Sequence, residues 1–322
     1  MEIFTLTLKQ MLMMFLLIIV GFVLRKKSIL PDNAQVTMSK LETFLFVPAL
    51  SLYAQMTKCN VKTFMENSSL LLYSLVLVLL AIALAYGLSV LFVRKAKGSP
   101  EREYQKNVYK YAMTFGNFGF MGNFIILGVF GEEMFFKYSL FTLVFSIACN
   151  SWGLFVLIPK DKSAGVLHNL KKGLLTPPVL ALVGGIILGL TGVANYIPDF
   201  VVNAVNNASK CQGPVAMVLA GFVIGGYNLK ELLLNKKVYV ASIFRLVLIP
   251  AVFMVVLKLI GASYEIQLLS LICFATPLGL NTIVFPAAYG GETKTGASMA
   301  MISHVLSVIT IPLMYLVFIV WL

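Results

Sequence analysis

Two short stretches hold the residues of this chain that could do chemistry. The first, 111–123, reads Tyr-Ala-Met-Thr-Phe-Gly-Asn-Phe-Gly-Phe-Met-Gly-Asn and interleaves Gly116, Gly119 and Gly122 with Asn117 and Asn123 inside an apolar segment. Glycine weakens a helix through its backbone entropy and leaves the backbone bare. An amide in hydrocarbon is costly without a partner. These residues therefore predict a membrane helix that breaks near mid-depth, where its polar groups face a cavity. The second stretch, 274–286, carries Thr276, Pro277, Gly279, Asn281, Thr282 and Pro286. Proline removes a backbone donor and crowds the turn before it, so this span is interrupted too. Sliding one stretch onto the other without gaps lays Gly119 on Gly279, Gly131 on Gly291 and Glu132 on Glu292. Breaks at matching places in two halves point to the substrate site of a repeat-built transporter.

The chemistry on offer is recognition, not bond-making. A half-helix N-terminus presents free N–H groups and a partial positive charge, and can hold a carboxylate with no charged side chain. The opposing C-terminal ends offer carbonyls to a cation or proton donor. Asn117, Asn123, Asn281 and Thr282 add neutral donors and acceptors. Arg245, within an apolar span, suits bidentate carboxylate recognition, against the alternative of snorkelling toward the interface near Lys237. His304 is a candidate for proton coupling, against a neutral ring bonded within the bundle. Three plainer readings complete the set: Glu42 pairs with Lys40 at an interface, Asp199 caps a helix, and Lys210 is structural.

Other functions find nothing to build on. The sequence has no Gly-Lys-Ser phosphate loop, no Gly-x-Ser-x-Gly elbow and no paired metal-ligand motif, and its two histidines are His168 and His304. No enzyme, metal site or cofactor is therefore expected. Cys59, Cys149, Cys211 and Cys273 have no disulfide-framework spacing. The net charge of +12 sits in short links between apolar spans, which is a topology signal and argues against nucleic acid as a partner.

With 59% hydrophobic and 12% charged residues, the chain reads as an all-α integral membrane protein in a lipid bilayer. About ten spans can be marked off, at 6–24, 36–56, 68–93, 107–130, 136–158, 177–191, 198–226, 238–260, 266–289 and 297–322. Links after odd-numbered spans hold most of the basic residues, among them Arg25, Lys26, Lys27, Arg94, Lys95, Lys160, Lys171, Lys236 and Lys294. Those links are assigned to the cytoplasm, so both termini lie outside. The expected division is a first repeat over 1–160, a linker over 161–176 and a second repeat over 177–322. Five spans per half make the repeats inverted, with the broken fourth and ninth helices crossing.

At these residues the chain resembles the auxin efflux carrier family, whose bacterial members include malate and malonate permeases, within the bile-acid, arsenite and riboflavin transporter superfamily. The resemblance rests on the Gly-Asn-Phe-Gly-Phe-Met-Gly-Asn break, the Ala-Thr-Pro-Leu-Gly-Leu-Asn break, Ala287-Ala-Tyr-Gly290 and the 213–221 run of the seventh span. It implies a scaffold of spans one, two, six and seven beside a transport domain of the remaining spans. It also implies an organic anion touching Asn117 and the backbone around Gly116 and Pro277, a homodimer through the scaffold, and a plasma-membrane location. Plant members have proline in the fourth-span break and often a long central loop. Glycines and a short loop here point to a prokaryotic-type member. The rival readings are a sodium-coupled bile-acid-type carrier, with proton or sodium left open as the coupling ion, and a membrane-embedded ligand sensor.

Overall fold

The computed structural model describes residues 2–93, 99–157, 171, 174–283 and 293–321. Every regular element among them is helical, as hydrocarbon demands of a chain that must satisfy its own backbone. The elements are α1 (Glu2–Lys26), α2 (34–58), α3 (Val61–Phe92), α4 (Pro100–Thr114), α5 (Phe118–Leu157), α6 (Pro177–Thr191), α7 (Asp199–Gly225), α8 (Lys236–Leu259), α9 (Tyr264–Ala275) and α10 (Lys294–Trp321). Among the described residues six of these, α1, α3, α5, α7, α8 and α10, are long and apolar enough to cross a bilayer. The helices α6 and α9 are apolar but shorter.

Part of the gap between six and the expected ten comes from interruptions, while α6 is unbroken but only 15 residues long. At 40 residues, α5 would be about 60 Å long as a straight rod, twice the hydrocarbon thickness. It does not run straight, because Gly131 takes φ 80° and ψ −176°, a conformation that strains any residue with a side chain. The expected fourth span is thus α4 plus the first third of α5, split again at 115–117. The helix α9 is the first half of the expected ninth span. Its remainder beyond Ile283, with Pro286, Ala287, Gly291 and Glu292, lies outside the described residues, as do Arg94, Lys95, Lys97, Lys160 and His168. The turn at Cys211 divides α7 into Asp199–Lys210 and Gln212–Gly225.

Local chemistry sets the ends. The Asn60 side chain accepts from the Thr63 amide while the Thr63 hydroxyl accepts from the Asn60 amide, a reciprocal cap that starts α3. Ser99 with Pro100 starts α4, and Ser263 caps α9. Asp199 does not cap: it is the first helical residue, Pro198 holds the cap position, and no side-chain cap bond forms. Two π-helical turns, Glu42–Phe46 in α2 and Phe244–Leu248 in α8, each end just ahead of a proline, Pro48 and Pro250. A proline lacks the amide that the carbonyl four residues back would receive and crowds that carbonyl, and a wider turn relieves both faults.

Helices meet through small residues, as expected where lipid removes the hydrophobic drive between them. A side chain at Gly21 of α1 would run into the Val218 carbonyl of α7, and one at Gly221 into the Ile18 carbonyl of α1. Likewise Gly185 and Gly189 of α6 lie against the α2 backbone at Leu52 and the Cys59 carbonyl. Aromatic rings brace the other side. Phe274 of α9 stacks on Phe253 of α8 at 4.2 Å and meets Phe145 of α5 edge-on at 5.4 Å.

Candidate functional site

The two breaks meet. Beyond Thr114 the chain is extended at Phe115, and Gly116 forms an antiparallel bridge with Leu278. The Asn117 amide donates to the Pro277 carbonyl at 2.7 Å. Thr276 takes φ −66° and ψ 146°, the extended form favoured ahead of proline. Each interruption therefore supplies a backbone partner for the other, which removes much of the cost of irregular chain in a membrane. The approach needs glycine: a Cβ on Gly116 would lie 2.6 Å from Arg245 Nη2 and 2.7 Å from both the carbonyl and hydroxyl oxygens of Thr276. Gly279 sits against the Gly116 carbonyl, while Gly119 has open space where its Cβ would be.

Arg245 is buried behind this crossing. Its Nη1 donates to the Met113 and Thr114 carbonyls, at 3.3 and 3.2 Å, and Nη2 donates to the Cys273 carbonyl at 3.3 Å. Those are the C-terminal ends of α4 and α9. One guanidinium thus neutralises two negative half-helix ends, with the Phe274 ring 5.6 Å away. These contacts hold Nη1 and Nη2 on protein carbonyls.

The helix α10 holds the other side. Ser303 Oγ accepts from the Leu278 amide at 3.0 Å, and His304 Nε2 is 3.3 Å from Asn117 Nδ2. His304 Nδ1 lies 2.6 Å from the Ala300 carbonyl oxygen. A carbonyl only accepts, so the ring proton is assigned to Nδ1, and Nε2 accepts from the Asn117 amide. Asn117 is thereby fixed in orientation by the ring.

In front of the crossing lies a cavity of about 170 Å³, lined from the breaks by Gly116, Asn117, Gly119, Gly279 and Asn281, and from α2 by Ser39, Thr43 and Val47. Cys149, Asn150, Pro178 and Leu219 close it. Among the described residues, none that lines it is charged. The start of α5, whose first amides lack partners along the chain, borders it at Phe118, Gly119 and Phe120. The positive end of α5 thus faces the cavity, and the negative ends of α4 and α9 face Arg245.

A family model described as a membrane transport protein matches residues 6–315, which include both breaks and most of α10. The chain belongs to the auxin efflux carrier family. A curated relative, an uncharacterized transporter from Methanocaldococcus jannaschii, is 28% identical over 212 residues. That match covers 62% of this chain and 64% of the relative, a little under two thirds of its length. Both matches are to transport proteins and neither is to an enzyme.

The remaining anticipated residues of this carrier fall in two groups. Gly116, Asn117, Gly119, Gly279 and Asn281 line the cavity, with Thr276 and Pro277 in the crossing behind them. The others lie to the side. Asn123 borders a smaller void of about 40 Å³ with Ser51, Ser139 and Thr142. Gly122 makes room for the Tyr138 hydroxyl, which donates to the Phe118 carbonyl at 3.1 Å. The Thr282 hydroxyl turns back onto the Gly279 carbonyl at 2.9 Å. Asn281 Nδ2 lies 3.5 Å from Cys149 Sγ, itself 2.9 Å from the Tyr111 hydroxyl. Sequence reasoning missed Ser39, Thr43, Cys149 and Asn150, none of which sits in a break. It also misread Glu42. Lys40 is exposed, whereas Glu42 is fully buried and meets no cation among the described residues, because the π-helical turn faces its side chain inward. The usable signal was a carboxylate six residues ahead of Pro48 in an apolar span.

Proposed function

We propose that this protein is a secondary transporter that moves a small organic anion, a mono- or dicarboxylate of the malate or malonate kind, by alternating access around the crossing of its two interrupted helices. The observation that carries the reading is the uncharged cavity at the crossing. The start of α5 and the Asn117 amide border it, while the helix ends that would repel an anion are turned away onto Arg245. A volume of about 170 Å³ is well below that of pockets for drug-sized ligands and suits a molecule of a few carbons. In this reading Asn117, Asn281 and the amides near Gly116, Gly119 and Gly279 contact the carboxylate. Thr276, Pro277, Gly122, Asn123 and Thr282 shape the breaks, and Arg245 sets the field.

The same reading takes the chain as two inverted five-span repeats, 1–160 and 177–322, with a scaffold of spans one, two, six and seven that dimerises. It places the carrier in the plasma membrane with both termini outside. Close packing of α1 on α7 and of α6 on α2 supports the scaffold, since each pair joins a span from one half to a span from the other.

The test is uptake of radiolabelled malate, malonate and short monocarboxylates by proteoliposomes. Saturable uptake that Asn117→Ala abolishes is expected. Uptake no faster than in protein-free liposomes, or an unaffected Asn117→Ala protein, would refute the proposal.

A further inference from the structure

Glu42 is the one buried carboxylate among the described residues, with no accessible surface. Neither of its oxygens has a hydrogen-bond partner there. It opens the π-helical turn of α2, one residue before Thr43 and three after Ser39, both of which line the cavity at the crossing. The segment Gln212–Gly225 of α7 packs on this turn and also on the π-helical turn Phe118–Gly122 beyond Asn117. Glu42 is therefore placed beside the cavity while excluded from it.

Among the described residues no charge answers it. Besides Gln212–Gly225, the elements packed on the turn are α6 and Asp199–Lys210. Neither α6 nor Gln212–Gly225 contains a titratable residue. Asp199 and Lys210 stand at the two ends of their helix, both exposed. On α2 itself Lys40 and Lys58 are exposed, and Tyr53 lies three turns further on. A charged carboxylate so enclosed is among the costliest groups a protein can carry, and a bound proton removes that cost. π-Helical turns within α-helices recur at functional sites, where they aim a side chain that regular helix would point elsewhere.

We propose that Glu42 is a proton-binding site that couples the cycle to a proton gradient, an inference that rests on the transport reading above. The carboxylate takes a proton from water on the more acidic side when the cavity opens there. The neutral acid is enclosed with the anion in the adjoining cavity, and the proton returns to water on the other side. One proton then accompanies each anion. An unprotonated Glu42 would repel an anion held at the neighbouring turn, so proton and anion favour each other's binding.

Two measurements on the full-length protein test this. In proteoliposomes with the membrane potential clamped, an outside-acid gradient of one pH unit should raise malonate accumulation by the wild type about tenfold. Glu42→Gln, which keeps the shape but cannot release a proton, should still show malonate-induced thermal stabilisation yet accumulate none above equilibrium. Retained proton-driven accumulation in Glu42→Gln, or wild-type accumulation driven by sodium instead of pH, would overturn the proposal. The second measurement needs no transport: infrared difference spectra of the wild type between acid and alkaline buffer should contain a protonated-carboxylic-acid carbonyl band that Glu42→Gln lacks. The same band in both proteins would overturn it. Absence of any malonate uptake with the band present would count against the transported anion and not against the proton site.

Discussion

The contact between the breaks gives a sharp prediction at Gly116. A Cβ built there falls 2.6 Å from a guanidinium nitrogen and 2.7 Å from a backbone carbonyl of the opposing break. Ordinary contact begins at 3.4 Å, so Gly116→Ala must push the two segments apart by roughly 0.7 Å. Thr276 cannot yield by a rotamer change, because one of the clashing atoms is its backbone oxygen. Overpacking of this kind costs about 1–3 kcal/mol, and a weakened bond from Asn117 to Pro277 adds about 1 kcal/mol. The sum, about 2–4 kcal/mol, translates to a drop of roughly 4–8 °C in melting temperature for a chain of this size. Because the displaced atoms border the cavity, anion uptake should fall at least tenfold. The assay is thermal unfolding in detergent by intrinsic fluorescence, paired with proteoliposome uptake. Gly87→Ala in α3 is the control, since its Cβ would meet nothing within 4 Å. It should melt at or slightly above the wild type, having gained helix propensity. A Gly116→Ala protein that melts with the control and transports normally would refute the reasoning.

Other substitutions separate the roles of neighbouring groups. Arg245→Met leaves the Met113, Thr114 and Cys273 carbonyls without their donor. It should cost roughly 3–5 kcal/mol, seen as aggregation on gel filtration, with Arg245→Lys recovering part of the loss. His304→Phe removes the acceptor that orients Asn117, so affinity for the anion, read by calorimetry, should weaken about fivefold to tenfold while the fold persists. Gly221→Leu drives a side chain into the Ile18 carbonyl and should abolish monodisperse expression, whereas Gly184→Leu, with open space, should not. The Lys294–Glu231 pair is more than half exposed on both sides, so Glu231→Gln should shift stability by less than about 1 kcal/mol in a thermal melt.

Both interruptions were legible in the sequence because their cause is local. Glycine, asparagine and proline act on the very turn that contains them, so Gly116, Asn117, Pro277 and Gly279 could be read without knowing what lies opposite. The helical class was legible for a similar reason, since long apolar runs leave the backbone no other way to satisfy itself. What escaped depends on neighbours distant in sequence. Whether Arg245 reaches an anion or a carbonyl is decided by where α4 and α9 end, and the side of α2 that Glu42 faces is decided by a π-helical turn ahead of Pro48. The corner in α5 was legible too: the fourth span was expected to end at 130 and the fifth to begin at 136, and the backbone angles of Gly131 turn the chain between them.

The pairing of Arg245 with Ser303 and His304 has a mechanical corollary. One cation clips the rear of both severed rods, while two adjacent residues of α10 clip their front at Leu278 and Asn117. Neither rod can tilt alone without tearing a fastening that belongs to both. In the proposed cycle, whatever displacement exposes the cavity to one face and then the other carries the crossing along as an undeformed cartridge, and the hinging falls on the surfaces around it.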